Sequence, residues 1–403
     1  IIGLFALFPV GFSQNMEDFQ PTLADSVEVL KYLGQGNPND LDNALLLSRN
    51  IDYIRGEKMA LKALTELFNK EGRSAASLRY SLERISLLAE HGTIAETYEA
   101  EVFTGDIYYS EKLHDRALVY YHRANRINVS KNNKIELWEK MANAFHHSLK
   151  SDSALIFYLK AHNYHAQNGN VSRQLANLQS ISEIHDERGE CFKALAQNEV
   201  IRNLVIEKNR TEHLATTYNN IGYNYHCLND YKNALLNFEK ADSICADNCE
   251  LNRIALYSNM GIAYFNHGQF NKAVRHLDEG INVAKKEKNH RERAHLTYLK
   301  ATIYQQKGDL YQALLFNEDA MNSAKKNKHR NTLADTYQLA AEAYEKLYEY
   351  ELALDYYQKY LELRNEIRNE EEDRREKILQ QQVLLERAEK EIKLLLASQE
   401  LSD

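Results

Sequence analysis

Small and aromatic side chains recur along the chain with a period near 40 residues. An alanine marks each period, at Ala117, Ala154, Ala194, Ala234, Ala273, Ala313 and Ala353. A small residue stands twelve positions earlier, at Gly105, Ala142, Ser182, Gly222, Gly261, Ala301 and Ala341. A ring stands nine positions earlier, at Tyr108, Phe145, His185, Tyr225, Tyr264, Tyr304 and Tyr344. The pattern predicts two antiparallel helices per period, with the small residue facing the alanine so that the backbones approach closely.

The same register predicts how each helix pair packs and closes. The ring, one turn beyond the small residue, is expected to fill the gap to the next pair. Residues that tolerate the left-handed conformation at a helix end occupy the expected turns at Gly189, Asn229, Gly268 and Gly308. Other residue types stand in this slot at Lys112, Leu149 and Tyr348, and those turns are expected to close differently.

The stretch from Tyr218 to Tyr225, followed by Ala234, Phe238 and Ala241, resembles the tetratricopeptide repeat (TPR). Seven such repeats cover residues 97–367. The period exceeds the 34 residues typical of the family, and the proline that ends the second helix in the family pattern is missing, so each second helix is expected to be longer. Such elongated repeats resemble those of bacterial peptide-sensing regulators and kinesin-light-chain-like adaptors. The resemblance implies an all-α fold, a right-handed superhelix of about nine helix pairs.

Residues 15–96 read as two further, degenerate helix pairs. One amphipathic helix is predicted over Leu41–Ile54, after a turn marked by Gly34, Gly36 and Pro38. The next pair is predicted over Met59–Phe68 and Leu78–Ala89, around Gly72. Terminal units of a solenoid are expected to be atypical because one of their faces is solvated.

The two ends of the chain differ from the repeats. Residues 1–14 are mostly apolar and are interpreted as the remnant of a secretory signal peptide. Residues 368–403 are interpreted as a coiled-coil-like helix that follows a highly charged run. Its weak heptad seam consists of Ile378, Leu385, Ala388, Ile392 and Leu395. This helix is expected either to form a parallel homodimer or to pack its apolar side on the preceding domain.

Composition excludes several classes of protein. The net charge of −8 gives no reason to expect bound nucleic acid, and the motifs of nucleotide-binding and hydrolytic enzymes are absent from the sequence. We therefore expect neither catalysis nor a cofactor. Two histidine pairs, His146 with His147 and His162 with His165, lack the spacing that would complete a metal site. The four cysteines are expected to be free thiols, with an extracytoplasmic disulfide as the alternative.

In TPR proteins the ligand usually lies on the concave face, which the first helices line. The resemblance places a candidate protein- or peptide-binding groove at Asn219, Asn220, Tyr223, His226, Asn259, Ile262 and Asn266. Asparagine amides can bond an extended peptide backbone with a donor and an acceptor, although they could equally solvate the groove or cap turns. The basic clamp of chaperone-binding TPRs is not matched, which disfavours chaperone tails as partners.

Two basic clusters, 40 residues apart, form a candidate basic ridge. It consists of Lys285, Lys286, Lys288, Arg291, Lys325, Lys326, Lys328 and Arg330. Such a ridge could bind an anionic partner, but cations are also favoured at the C-termini of helices, where they offset the helix dipole. The second interpretation is preferred.

Together these features resemble the extracytoplasmic TPR and coiled-coil input regions of Bacteroidetes-type sensor histidine kinases and regulators. The resemblance implies a non-catalytic sensor region of a bacterial signal-transduction protein, periplasmic or secreted. A secreted or periplasmic assembly scaffold, and a cytosolic peptide-responsive regulator, are the alternatives.

Overall fold

The computed structural model describes residues 23–245 and 251–400, apart from the side chains of residues 23, 24, 381, 385, 388, 391–393 and 395–400. Within these ranges the chain forms eighteen α-helices and one short 3₁₀ turn, and no strand. The predicted signal-peptide remnant, residues 1–14, lies outside the described residues. The all-α, paired-helix prediction is confirmed.

The helices alternate as the first and second members of nine pairs. The first five pairs are α1 Leu23–Gln35 and α2 Pro38–Asn50, α3 Ile54–Lys70 and α4 Ser74–His91, α5 Ile94–Ser110 and α6 His114–Arg126, α7 Lys131–His147 and α8 Ser151–Gln167, and α9 Val171–Glu187 and α10 Cys191–Glu207. The 3₁₀ turn Thr211–His213 comes next. The last four are α11 Leu214–Cys227 and α12 Tyr231–Ile244, α13 Arg253–Asn266 and α14 Phe270–Lys286, α15 His290–Lys307 and α16 Leu310–Lys326, and α17 Arg330–Lys346 and α18 Tyr350–Glu400.

The chain divides into two compact units. The first contains the described residues up to Leu137 together with those from Gln382 onward, and the second runs from Trp138 to Gln381. In the second unit each helix packs against its successor in the chain, from α8 to α17. The core is therefore a series of local helix–helix interfaces, as expected for a solenoid.

Close packing of the small register position is confirmed at Gly222. A Cβ added there would lie 2.6 Å from the Phe238 ring and 3.1 Å from the carbonyl oxygen of Ala234. At Gly261 an added Cβ would lie 2.6 Å from the Leu277 side chain and at an ordinary distance, 3.5 Å, from the carbonyl oxygen of Ala273. At both glycines a side chain of the second helix occupies the space that a Cβ would need.

Five of the seven register rings make a contact that was not predicted, because they stack on a ring of their own pair. The ring of the first helix stacks on a ring twelve residues later, on the second helix, with centroids 5.0–5.6 Å apart. These stacks are Phe68–Tyr80, Tyr108–Tyr120, Phe145–Phe157, Tyr264–His276, Tyr304–Phe316 and Tyr344–Tyr356. Antiparallel helices joined by a short turn bring positions at equal distances from the turn face to face, so the stack closes each of these six pairs internally.

The expectation for the turns at Lys112, Leu149 and Tyr348 is also wrong. These residues adopt φ values of 61°, 58° and 64°, the left-handed conformation that Gly189 adopts at 66°. At each turn the next amide donates to a carbonyl five residues earlier, as from Lys150 to Phe145 at 2.9 Å. The hydrogen bonds that end the first helix thus outweigh the cost of left-handed geometry for a residue with a side chain, about 1–2 kcal/mol.

The N-terminal pairs differ slightly from their prediction. The first pair includes α1, which contains Gly34, and the turn is confined to Gly36, with Pro38 at the start of α2. The helix predicted over Leu41–Ile54 ends at Asn50, because Asp52 is left-handed with φ 50°. The pair around Gly72 is confirmed as α3 and α4.

The last helix, α18, is 51 residues long and runs through residue 367 without a break. The coiled-coil-like segment is therefore a continuation of the last second helix. Among its seam residues, the described side chain of Ile378 is 37 % exposed, while the side chains of Leu385, Ala388, Ile392 and Leu395 lie outside the described ones. Two acidic residues near its end contact α5 and α6. The segment thus contacts the chain's own helices through acidic side chains, whereas packing of its apolar side, the alternative raised above, stays a prediction.

Candidate functional site

The first helices of successive pairs form a shared surface in the second unit. Contacts that skip one helix join α11 to α13, α13 to α15 and α15 to α17. All three contacts join first helices of successive pairs. The first helices are therefore packed more tightly than the second helices, and they form the inner layer. Every predicted groove residue lies on α11 or α13, so the structure brings the predicted groove together within this layer.

Three asparagines connect α11 to α13 through their side chains. Asn259 Nδ2 donates to Asn219 Oδ1 at 3.2 Å, and Asn219 Nδ2 donates to Asn220 Oδ1 at 3.4 Å. All three side chains are half-buried. Within the described residues Asn220 Nδ2 donates no hydrogen bond, so this amide can still bond a ligand.

A second side-chain bridge lies near the ends of the same two helices. Asn266 Nδ2 lies 2.9 Å from His226 Nε2, and because the amide is the donor, this imidazole nitrogen must be unprotonated. Burial lowers the pKa of His226, which favours this neutral form. The Tyr231 ring lies 5.5 Å from the imidazole. Asparagine and histidine thus connect neighbouring repeats at residues 40 apart, as the amide chain also does.

The surface between these bridges is neutral. The α11 sequence contains no Asp, Glu, Lys or Arg, and α13 has one such residue, Arg253, which donates to the Tyr257 hydroxyl at 2.7 Å. Tyr223 is 47 % exposed and Ile262 is half-buried, so an aromatic and an aliphatic contact flank the amides. This arrangement suits the backbone of an extended peptide and its uncharged side chains.

A buried polar network beneath α11 was not predicted from the sequence. Asn198 Nδ2 donates to Asn224 Oδ1 at 2.8 Å, and Asn224 Nδ2 donates to Asp186 Oδ1 at 2.6 Å. Both asparagines are nearly fully buried, and burial raises the pKa of Asp186. The network joins α9, α10 and α11. No signal in the sequence distinguishes these asparagines from solvated ones.

The basic ridge coincides with helix ends. Lys288 and Lys328 are left-handed, with φ of 55° and 57°, and each amide donates to a carbonyl at the end of the preceding helix at 3.3 Å. Lys285 and Lys286 end α14, Lys325 and Lys326 end α16, and Arg291 lies in the first turn of α15. Arg330 is bonded to Glu366 and Glu370 of α18. The helix-end interpretation explains the lysines, which lie at the C-terminal ends of α14 and α16, but not Arg291 and Arg330, which lie in the first turns of α15 and α17.

The cysteine prediction is wrong, because Cys191 and Cys227 form a disulfide. Their Cα atoms are 6.1 Å apart, although the residues are separated by 36 positions. Cys191 begins α10 and Cys227 ends α11, and these ends meet because the two helices are antiparallel neighbours. Cys245 is also disulfide-bonded, so no described cysteine is a free thiol, and Cys249 lies outside the described residues.

Two of the histidines considered as metal ligands are engaged by carboxylates. His146 Nε2 lies 2.7 Å from Glu187 Oε2, and His165 Nε2 lies 3.1 Å from Glu139 Oε1. Across the described residues no group of three or more His, Cys, Asp or Glu side chains is arranged to hold a metal ion. None of the helices in the same residues has the length and apolar character needed to cross a bilayer.

Comparison with known proteins agrees with this architecture. Residues 215–248 and 252–326 each match models of the tetratricopeptide repeat. No curated protein matches the sequence significantly. Solved structures match the fold at low sequence identity.

One similar structure is the apo form of the quorum sensor NprR from Bacillus thuringiensis, with TM-score 0.51 and 16 % identity over 84 % of this chain and 98 % of that one. Another is aspartyl phosphate phosphatase F from Bacillus subtilis, with TM-score 0.52 and 13 % identity over 88 % and 96 %. A third is a signal-transduction ATPase with a TPR sensor from Pyrococcus horikoshii, with TM-score 0.54 and 13 % identity over 86 % of this chain and 54 % of that protein. At these identities the likeness shows the fold.

Proposed function

Because residues 215–248 and 252–326 match models of the tetratricopeptide repeat, we propose that the chain is a non-catalytic module that binds an extended peptide or protein segment along α11 and α13. The observation that carries the proposal is the amide chain of Asn219, Asn220 and Asn259, which lies on a neutral inner surface. An amide that can still donate there can bond a peptide backbone whatever its side chains are.

We further propose that the module is the input region of a bacterial signal-transduction protein and acts outside the cytoplasm. The Cys191–Cys227 disulfide supports this location, because such bonds persist in oxidising compartments and are rare in the cytosol of mesophiles. Alkylation of thiols in intact native cells before lysis tests it. We expect Cys191 and Cys227 to remain unmodified without reductant, whereas modification would contradict export.

A secreted or periplasmic scaffold remains the second candidate function, favoured by the same disulfide and the same groove. The two candidates differ in how the chain responds to a bound peptide. A sensor must change its structure on binding the peptide, whereas a scaffold need not.

The binding proposal is tested by selecting short random peptides on the full-length chain and mapping the bound peptide by hydrogen exchange. We expect the largest slowing of amide exchange on binding to occur in α11 and α13. Protection confined to other helices would contradict the proposed groove. Exchange changes that extend beyond α11 and α13 would favour the sensor over the scaffold.

A further inference from the structure

A cluster of polar and aromatic side chains lies on α5 and α6. The Tyr108 and Tyr120 rings stack with centroids 5.3 Å apart, and both side chains are about 1 % exposed. The Tyr108 hydroxyl donates to Glu389 Oε2 at 2.8 Å, and the Tyr120 hydroxyl donates to Glu389 Oε1 at 3.0 Å. One carboxylate of α18 therefore receives a hydrogen bond on each of its oxygens.

Arg116 of α6 adds a cation to this surface. Its Nη2 donates to Glu386 Oε1 at 2.9 Å, and its Nη1 lies 3.9 Å from Glu389 Oε2. Glu386 and Glu389 are three residues apart on one helix, so they lie on the same helix face. The surface thus recognises two acidic residues at this spacing.

The other repeats show that this chemistry is not needed for packing. The equivalent stacks Phe145–Phe157, Tyr304–Phe316 and Tyr264–His276 close their pairs with at least one ring that has no hydroxyl. The Tyr344–Tyr356 stack has two hydroxyls, but Leu352 stands there in the position that Arg116 occupies. Among the seven residues that precede the register alanines, Arg116 is the one arginine, with Ser153, Lys193, Asn233, Lys272, Gln312 and Leu352 in the other repeats. Two hydroxyls and an arginine coincide at α5 and α6, and there they meet an acidic pair.

The burial of Glu389 shows how closely the helix is held. This residue is 5 % exposed, whereas residues 368–380 of the same helix are all exposed. A carboxylate is removed from water at acceptable cost when its oxygens are hydrogen-bonded and a cation is near, as here. Burial also raises the pKa of both tyrosines and keeps their hydroxyls protonated as donors.

We propose that the Tyr108–Tyr120–Arg116 surface is a receptor for a helix that carries Glu-x-x-Glu, and that its occupant is the end of the chain's own α18. The docked segment forms an intramolecular latch. An acidic helix of the same spacing competes for the surface when the latch opens. The proposal is independent of the peptide groove.

The first test is hydrogen exchange of residues 382–400 in the full-length chain. We expect Glu386→Gln/Glu389→Gln to raise their exchange rate on the order of tenfold or more, because a buried polar site loses its partner charge. Glu372→Gln, on an exposed part of the same helix, is the matched control and is expected to leave the rate unchanged. Equal rates in all three proteins would overturn the latch.

The second test uses a fluorescent peptide of residues 378–403. We expect it to bind the Glu386→Gln/Glu389→Gln chain at least several-fold more tightly than the wild type, whose own helix competes. Adding Tyr108→Phe/Tyr120→Phe keeps the rings but removes the donors, and is expected to abolish that gain. Undiminished binding to the phenylalanine variant would overturn the receptor.

Protein concentration separates an intramolecular latch from exchange between two copies. Protection of residues 382–400 that is independent of protein concentration supports the latch. Protection that rises with concentration and accompanies dimer formation would overturn it.

Discussion

Two surfaces of the second unit repeat at intervals of about 40 residues but differ in origin. On α11 and α13, amides and an imidazole bond one another across neighbouring repeats, as Asn259 does with Asn219. At the ends of α14 and α16, lysines of equal register coincide with helix termini and left-handed turns.

The difference shows that a repeated residue type is not by itself a functional signal. Backbone requirements explain the lysines, since cations near a helix C-terminus contribute about 0.3–1 kcal/mol each. No backbone requirement explains asparagines in the middle of a helix, where their intrinsic propensity is low. The asparagines that recur on α11 and α13, unlike the lysines, therefore indicate a ligand-binding surface.

The largest expected loss of stability comes from forcing apart the helix pair that carries the amides. Gly222→Val introduces atoms where the Phe238 ring and the Ala234 carbonyl leave no room, and is expected to lower the free energy of unfolding by about 1–3 kcal/mol. Urea denaturation measures it. Gly34→Ala is the control, because no atom lies within 4 Å of the added Cβ and alanine favours a helix. Equal destabilisation by both variants would contradict the packing described.

A smaller effect tests whether the ridge lysines serve the backbone. Lys288 is left-handed, so Lys288→Gly is expected to be neutral or stabilising by up to about 1 kcal/mol despite the lost charge. Lys286→Gly, in the last turn of α14, is expected to destabilise by roughly 0.5–1 kcal/mol. Thermal unfolding of both variants measures these changes in stability. A loss of stability in Lys288→Gly that matches Lys286→Gly would mean that the lysine charge matters more than the turn.

The smallest expected effect is a pH dependence of stability, which comes from the histidine that lies beside the amides on α11 and α13. The folded pKa of His226 is lowered below 6.5, so its contribution to stability is present above pH 6.5 and is lost as the pH falls through the folded pKa. Protonation also removes the acceptor for Asn266. Melting temperatures of wild type and His226→Gln between pH 7.5 and 5 test this. The wild type is expected to lose more stability on acidification, and parallel curves would contradict it.

Much of the fold could be predicted because helix pairing is a local pattern. Gly222 and Ala234 revealed their contact through spacing alone, since antiparallel helices with a short turn fix which positions face each other. The turns at Leu149 and Tyr348 were predicted wrongly, because backbone hydrogen bonds at the turn override a single residue's preference for negative φ.

Non-local contacts were harder to predict. The Cys191–Cys227 bond depends on which helix ends are neighbours in space, and neither residue has a pattern around it. Glu389 belongs to a helix rich in charge, and only the position of Tyr108 and Tyr120 distinguishes it from its exposed neighbours. The groove residues were brought together as predicted, while their use by a ligand stays a prediction.

The most direct test of the account is the affinity of one groove-selected peptide for three full-length proteins. We predict that Asn220→Ala/Asn259→Ala weakens binding roughly tenfold, from two lost hydrogen bonds of about 0.5–1.5 kcal/mol each. Lys286→Gln/Lys326→Gln is predicted to match the wild type. The account would be contradicted by the reverse pattern, in which the lysine variant loses the peptide and the asparagine variant retains it.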